Sequence, residues 1–120
     1  MRFNGKKVSD MSYDEQLEML KTNGSLIKCI KNPTEEHKYV AVETSPFSIR
    51  FIHNPSEELQ MLAIKISPYS IRAITEPSEM VQIEAAKQYS PDEVELLKSD
   101  ILNPCEEVIE IIRKLKHSKR

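Results

Sequence analysis

With 120 residues, 17 basic and 19 acidic side chains and a net charge of −2, the chain has the length of one domain and lacks the basic excess of a duplex-binding protein. No apolar run approaches the roughly 18–20 residues that cross a bilayer, and residues 1–10 are polar and basic with no apolar block after them, unlike a secretory leader. Two glycines, Gly5 and Gly24, leave little room for phosphate-cradling loops. Cys29 and Cys105, 76 positions apart, are too sparse for a disulfide framework and read as free thiols in a reducing, cytoplasmic setting.

Along the chain, residues 1–10 form an N-terminal segment in which Asn4-Gly5 has the chemistry of a two-residue hairpin turn. A degenerate first unit follows at about 11–32, with Asn23-Gly24 before Leu26-Ile27-Lys28-Cys29-Ile30. From there seven prolines, Pro33, Pro46, Pro55, Pro68, Pro77, Pro91 and Pro104, stand 13, 9, 13, 9, 14 and 13 apart. Residues 31–52 and 53–74 match at 11 of 22 aligned positions. Internal repeats of this period build arrays of stacked units.

Each unit has two helix starts. Asn32-Pro33-Thr34-Glu35, Asn54-Pro55-Ser56-Glu57 and Asn103-Pro104-Cys105-Glu106 fit Asn at the N-cap, Pro at the first helical position and Glu three residues after the cap. Glu76-Pro77-Ser78-Glu79 keeps the pattern except for the cap residue. Ser45-Pro46, Ser67-Pro68 and Ser90-Pro91 open a second, shorter helix. At about 1.5 Å per residue the two are about 18 Å and 10 Å long, too short to persist alone.

The apolar pattern supports packed helices. Leu59, Leu62, Ala63 and Ile66 lie on one helix face, while Met61 and Ile64 lie on a second. Ala41, Ala63 and Ala85 recur once per unit at a constant interval, as do Ile27, Ile49 and Ile71, and Ile30, Ile52 and Ile74. Tyr89 reads as a one-residue insertion before Ser90-Pro91, and the helix after it is about one turn longer than its counterparts. Val108, Ile111, Ile112 and Leu115 stripe a final helix, and 117–120 is a basic tail expected to be frayed and solvated. The expected fold is all-α, a short α-solenoid of about four and a half two-helix repeats. Residues 11–116 form one domain, with units at about 11–32, 33–54, 55–76, 77–103 and 104–116.

Reactive constellations do not stand out. His37, His53 and His117 lack metal-ligand spacing, and no cofactor motif occurs. His37 occupies the repeat position of Leu59 and Val81, so a partly buried structural histidine explains it better than a base for Cys29. Glu57 and Glu79 fall in first turns, where the helix dipole accounts for them. Lys28, Arg50 and Arg72 recur with the same constant interval and should form a row. Such a row suits an acidic protein surface or a phosphate backbone. The alternative is local pairing with Glu35, Glu57 or Glu79.

The segment Asn-Pro-Ser-Glu-Glu followed by a Gln-containing helix, with its counterparts at 30–90 and 103–109, resembles a short helical repeat of phage and large-virus proteins. In size and style the chain is similar to phage inhibitors of host defence proteins, such as inhibitors of the defence-associated sirtuin. The resemblance implies a non-catalytic module that binds a host protein, such as a large defence protein. Association with nucleic acid through the same row is the alternative reading.

Overall fold

The computed structural model describes residues 2–118, and of Arg2 its backbone only. A two-residue hairpin opens the chain: β1 (Arg2–Phe3) pairs antiparallel with β2 (Lys6–Lys7). Asn4 and Gly5, at φ 51° and 79°, supply the two left-handed positions that such a turn needs. A single 3-10 turn, η1 (Val8–Asp10), leads into the array.

The array alternates α-helices with six-residue 3-10 helices. In order these are α1 (Tyr13–Thr22), η2 (Gly24–Cys29), α2 (Glu35–Thr44), η3 (Pro46–Phe51), α3 (Glu57–Ile66) and η4 (Pro68–Ala73). Then come α4 (Glu79–Ala86), η5 (Pro91–Glu93), α5 (Val94–Asp100) and the terminal α6 (Glu106–Ser118). Successive α-helices pack in sequence, α1 on α2 on α3 on α4, and the 3-10 helices η2, η3 and η4 stack beside them. The body measures 55 × 23 × 17 Å, and its radius of gyration of 16.7 Å exceeds the about 14 Å of a compact domain this long. This is the all-α, solenoid-like architecture that the prolines announce.

The core is the set of ladders. Ala41, Ala63 and Ala85 are fully buried, and their small side chains let neighbouring α-helices approach. Ile27, Ile49 and Ile71, and behind them Ile30, Ile52 and Ile74, run through the 3-10 layer. Leu20, Val42, Ile64 and Ala86 form a further buried series. Burial of each large side chain contributes about 1.5–3 kcal/mol, so a unit is stable only while its neighbours cover it. Met61, expected on a second buried face with Ile64, is only half-buried. Ile66, expected on the first face, is 47% exposed.

The helix starts lie two residues later than the Asn-Pro reading places them. The N-caps are Ser12, Thr34, Ser56 and Ser78, evenly spaced in the repeat frame. Their hydroxyls accept the backbone N–H groups of Glu15, His37, Leu59 and Val81. Asn32 and Asn54 instead take left-handed φ values of 55° and 46°, reversing the chain between a 3-10 helix and the next α-helix. Asn tolerates that conformation, and the following proline disfavours the right-handed alternative. Glu57 is therefore the first helical residue and not the reciprocal partner of a cap.

The Ser-Pro starts stand where expected, but they open 3-10 helices. Ser45 and Ser67 make no side-chain cap. Three residues on, buried Ser48 donates to the carbonyls of Ser45 and Ala41, and buried Ser70 donates to that of Ser67. These bonds tighten the turn and satisfy carbonyls at the end of the preceding helix.

The terminal units depart from the pattern as end units must. In the fourth, α4 is shorter, Tyr89 is buried, and the second helix is a 3-10 turn continued as α5. Helix α6 closes the array with Val108 buried and Ile111, Ile112 and Leu115 half-buried. Of the expected tail, His117 and Ser118 are helical and exposed, and Lys119 and Arg120 lie outside the described residues.

Candidate partner-binding face

The 3-10 layer carries the cation row. Lys28, Arg50 and Arg72 each stand one residue before the end of η2, η3 and η4, and all three are exposed. None of them pairs with Glu35, Glu57 or Glu79; Glu35 bonds Lys38 on its own helix. Each cation instead relates to one position of the following unit. Lys28 Nζ lies 5.2 Å from the ring centre of Phe51, which ends the next 3-10 helix. Arg72 donates to Asp100 at 2.9 Å, a partner set further along the chain because of the insertion in the fourth unit. Arg50 has Ala73 at that position, and among the described residues it has no ion pair, hydrogen bond or ring contact.

Two grooves lie along this layer. The first, about 580 Å³, has residues 49–55 on one wall and 73–76 on the other, with Gln60 in its lining. The second, about 460 Å³, repeats it one unit on, with Arg72, Gln82, Asp100 and Asn103 in place of Arg50, Gln60, Ala73 and Glu76. The glutamines tie the units together. Gln60 donates to the Pro55 carbonyl at 3.0 Å and accepts the Ser78 N–H at 3.2 Å. Gln82 donates to the Pro77 carbonyl at 3.2 Å and accepts the Cys105 N–H at 2.8 Å.

In the second groove the cation is paired within the chain. Asp100 Oδ2 accepts from both Arg72 and the Tyr89 hydroxyl, and the Asp100 side chain is only 6% exposed. Burial, then the bond to Asp100, pushes the Tyr89 hydroxyl well above the ordinary phenol range. The same carboxylate raises the Arg72 pKa, so this cation stays charged. Tyr69 packs edge-on against Tyr89, its centroid 5.3 Å away, and donates to Glu93. Glu93 is held below the usual carboxylate range by the Ser90 N–H first and Tyr69 second. This cluster fastens the inserted turn to the third unit.

Of the other candidate groups, His53 lines the first groove with Arg50, and His37, Glu57, Glu79 and the cysteines line neither groove. His37 is buried, and its Nδ1 accepts the Thr34 N–H, so it is a helix-cap residue. Burial lowers its pKa, with Glu36 opposing. His53 is exposed and bonded to Asn54, and Glu57 and Glu79 are exposed in first turns. Cys29 and Cys105 form no disulfide, and both are half-buried. Among the described residues no three His, Cys, Asp or Glu side chains converge as a metal set, and no helix is long and apolar enough to cross a membrane.

The row is legible in the sequence, but the position facing each cation is not. Asp100 is hidden because the insertion breaks the repeat frame. Gln60 and Gln82 do keep that frame, and their recurrence is a usable signal. Comparison with protein-family models, with curated proteins and with solved structures gives no significant match.

Proposed function

We propose that this chain is a non-catalytic protein-binding module, a phage helical-repeat protein that attaches to a host protein, such as an anti-phage defence factor, in the bacterial cytoplasm and modulates it. What carries the reading is a 55 Å repeat body in which, among the described residues, one cation of a three-unit row is left without a partner. Rigid stacked units suit docking on a large target, because little conformational entropy is lost on binding. The likeness of the Asn-Pro-Ser-Glu-Glu units to phage repeats supplies the biological setting.

Affinity capture from a bacterial host lysate with mass-spectrometric identification tests this. A stoichiometric protein partner is expected, and its loss on combined Lys28→Glu and Arg50→Glu substitution, with helicity retained, assigns the face. Recovery of no stoichiometric partner rejects the reading.

Nucleic-acid association through the same row is the weaker alternative. Asp100 neutralises Arg72, which shortens the run of free cations, and the net charge is −2. A steep fall of oligonucleotide binding between low and moderate salt would favour it.

A further inference from the structure

We infer that the first groove accepts an acidic side chain from an extended segment of a partner protein, its carboxylate seated on Arg50 as Asp100 is seated on Arg72. The inference rests on the protein-binding reading above and gives its partner a chemistry.

The chain supplies its own template. The segments that end η4 and α5 correspond residue by residue: Ala73-Ile74-Thr75-Glu76-Pro77 and Asp100-Ile101-Leu102-Asn103-Pro104. Ile74 and Ile101 both end their helices in extended conformation and both are buried. Their preceding residues thus hold one slot, facing the cation of the unit before. Asp100 in that slot gives Arg72 a 2.9 Å charge-assisted bond. Ala73 in that slot gives Arg50 only a methyl group and leaves a groove open beside it.

The rest of the first groove narrows the occupant. Glu76 lines the wall opposite Arg50, and His53 and Asn54 lie on the Arg50 side. A carboxylate lining the same groove disfavours a run of phosphates, because it repels the one that sits beside it. A peptide meets both walls: an Asp or Glu side chain bonds the guanidinium, while its backbone N–H groups donate towards Glu76. Arg is suited to the first role because its planar fork matches a carboxylate.

Fluorescence anisotropy with a labelled decapeptide alternating aspartate with glycine and serine tests this on the full chain. The asparagine version and a single-stranded oligothymidylate of equal length serve as comparison probes. The acidic peptide is expected to bind at one site, with the asparagine version at least about tenfold weaker, the worth of one charge-assisted bond. Arg50→Gln is expected to weaken it by a similar factor. Ala73→Asp fills the empty slot from within and is expected to block binding, whereas Asp100→Ala frees Arg72 and is expected to raise the stoichiometry to two.

Equal binding of both peptides, or binding unaltered by Arg50→Gln and Ala73→Asp, overturns the inference. So does Arg50-dependent binding of the oligothymidylate in preference to the peptide, which assigns the groove to nucleic acid. If Asp100→Ala does not fold, Arg50→Gln and Ala73→Asp decide alone; if it folds and binds one peptide, the equivalence of the slots fails. Host-protein capture indifferent to Ala73→Asp would leave the proposed function standing without this inference. Peptide binding with the expected variant pattern but no captured protein would do the reverse.

Discussion

The imidazole Nδ1 of His37 accepts the backbone N–H of Thr34 at 3.0 Å, while the Thr34 hydroxyl accepts the backbone N–H of His37 at 3.2 Å. This reciprocal box puts histidine where Ser12 and Glu15 make the same exchange one unit earlier. The His37 ring is buried, tilted against Tyr13 at 4.7 Å between centroids. An accepting Nδ1 places the proton on Nε2, so the ring is neutral.

A pH dependence follows. Burial depresses the His37 pKa in the folded chain, with Glu36 pulling weakly the other way, so the unfolded chain binds the proton first as pH falls. The neutral-state contribution is intact above the ordinary histidine value, declines as pH passes down through it, and levels off below the folded pKa. Urea midpoints measured from about pH 7.5 to 5 should fall more steeply for the wild type than for His37→Gln, which keeps an accepting group in the box. Parallel curves would remove this role for His37.

Gly24 is a second point of sensitivity. A Cβ there would lie 2.2 Å from the Ala41 carbonyl oxygen, whereas one at Gly5 meets nothing within 4 Å. Gly24→Ala must push η2 away from α2 and is expected to lower stability by about 1–3 kcal/mol. Gly5→Ala, strained only by its positive φ, is expected to cost about 1 kcal/mol within the hairpin. Equilibrium urea unfolding followed by far-ultraviolet circular dichroism distinguishes them; an unaffected global midpoint in Gly24→Ala would contradict the close α2–η2 contact.

The cap register can be checked in the same way. Ser56→Ala removes the acceptor of the Leu59 N–H and is expected to cost about 1 kcal/mol. Asn54→Gly relieves a left-handed φ of 46° and is expected to be neutral or slightly stabilising, while Asn54→Ala is expected to cost about 1 kcal/mol. A loss in Asn54→Gly equal to that in Ser56→Ala would return the cap to the asparagine.

Gln82 couples the fourth unit to α6. It is 7% exposed, and its side chain is the acceptor for the Cys105 N–H. Gln82→Leu leaves that N–H without its acceptor, at a cost of about 1–3 kcal/mol. Because units in an array depend on their neighbours, the loss should be local. Hydrogen exchange is expected to accelerate roughly tenfold in α6 while α1, α2 and α3 keep their protection. Uniform acceleration along the chain would show that the array unfolds as one block.

The repeat order and the ladders are legible in the sequence, because prolines and periodic apolar positions report packing directly; in residues 1–10 only the turn chemistry of Asn4-Gly5 is. The cap register is not: Asn-Pro-Ser-Glu suits an asparagine cap followed by helical proline as well as a serine cap preceded by proline. The helix type of η2, η3 and η4 is also hidden, since so short a segment gives the α-helical period no room to declare itself. In η3 and η4 the buried hydroxyls of Ser48 and Ser70 bond carbonyls already placed by the preceding turns, whereas η2 takes the same form with Leu26 at that position. For the candidate face, the row is written in the sequence, but the occupant of each facing slot depends on how one unit sits against the next.

Phe51, Ala73 and Asp100 fill a single slot with three different chemistries: an aromatic face, a methyl group and an anion. None of these side chains belongs to the isoleucine or alanine ladders behind them. Each junction is thus separately adjustable: one substitution in the slot changes what that joint grips and leaves the ladders untouched.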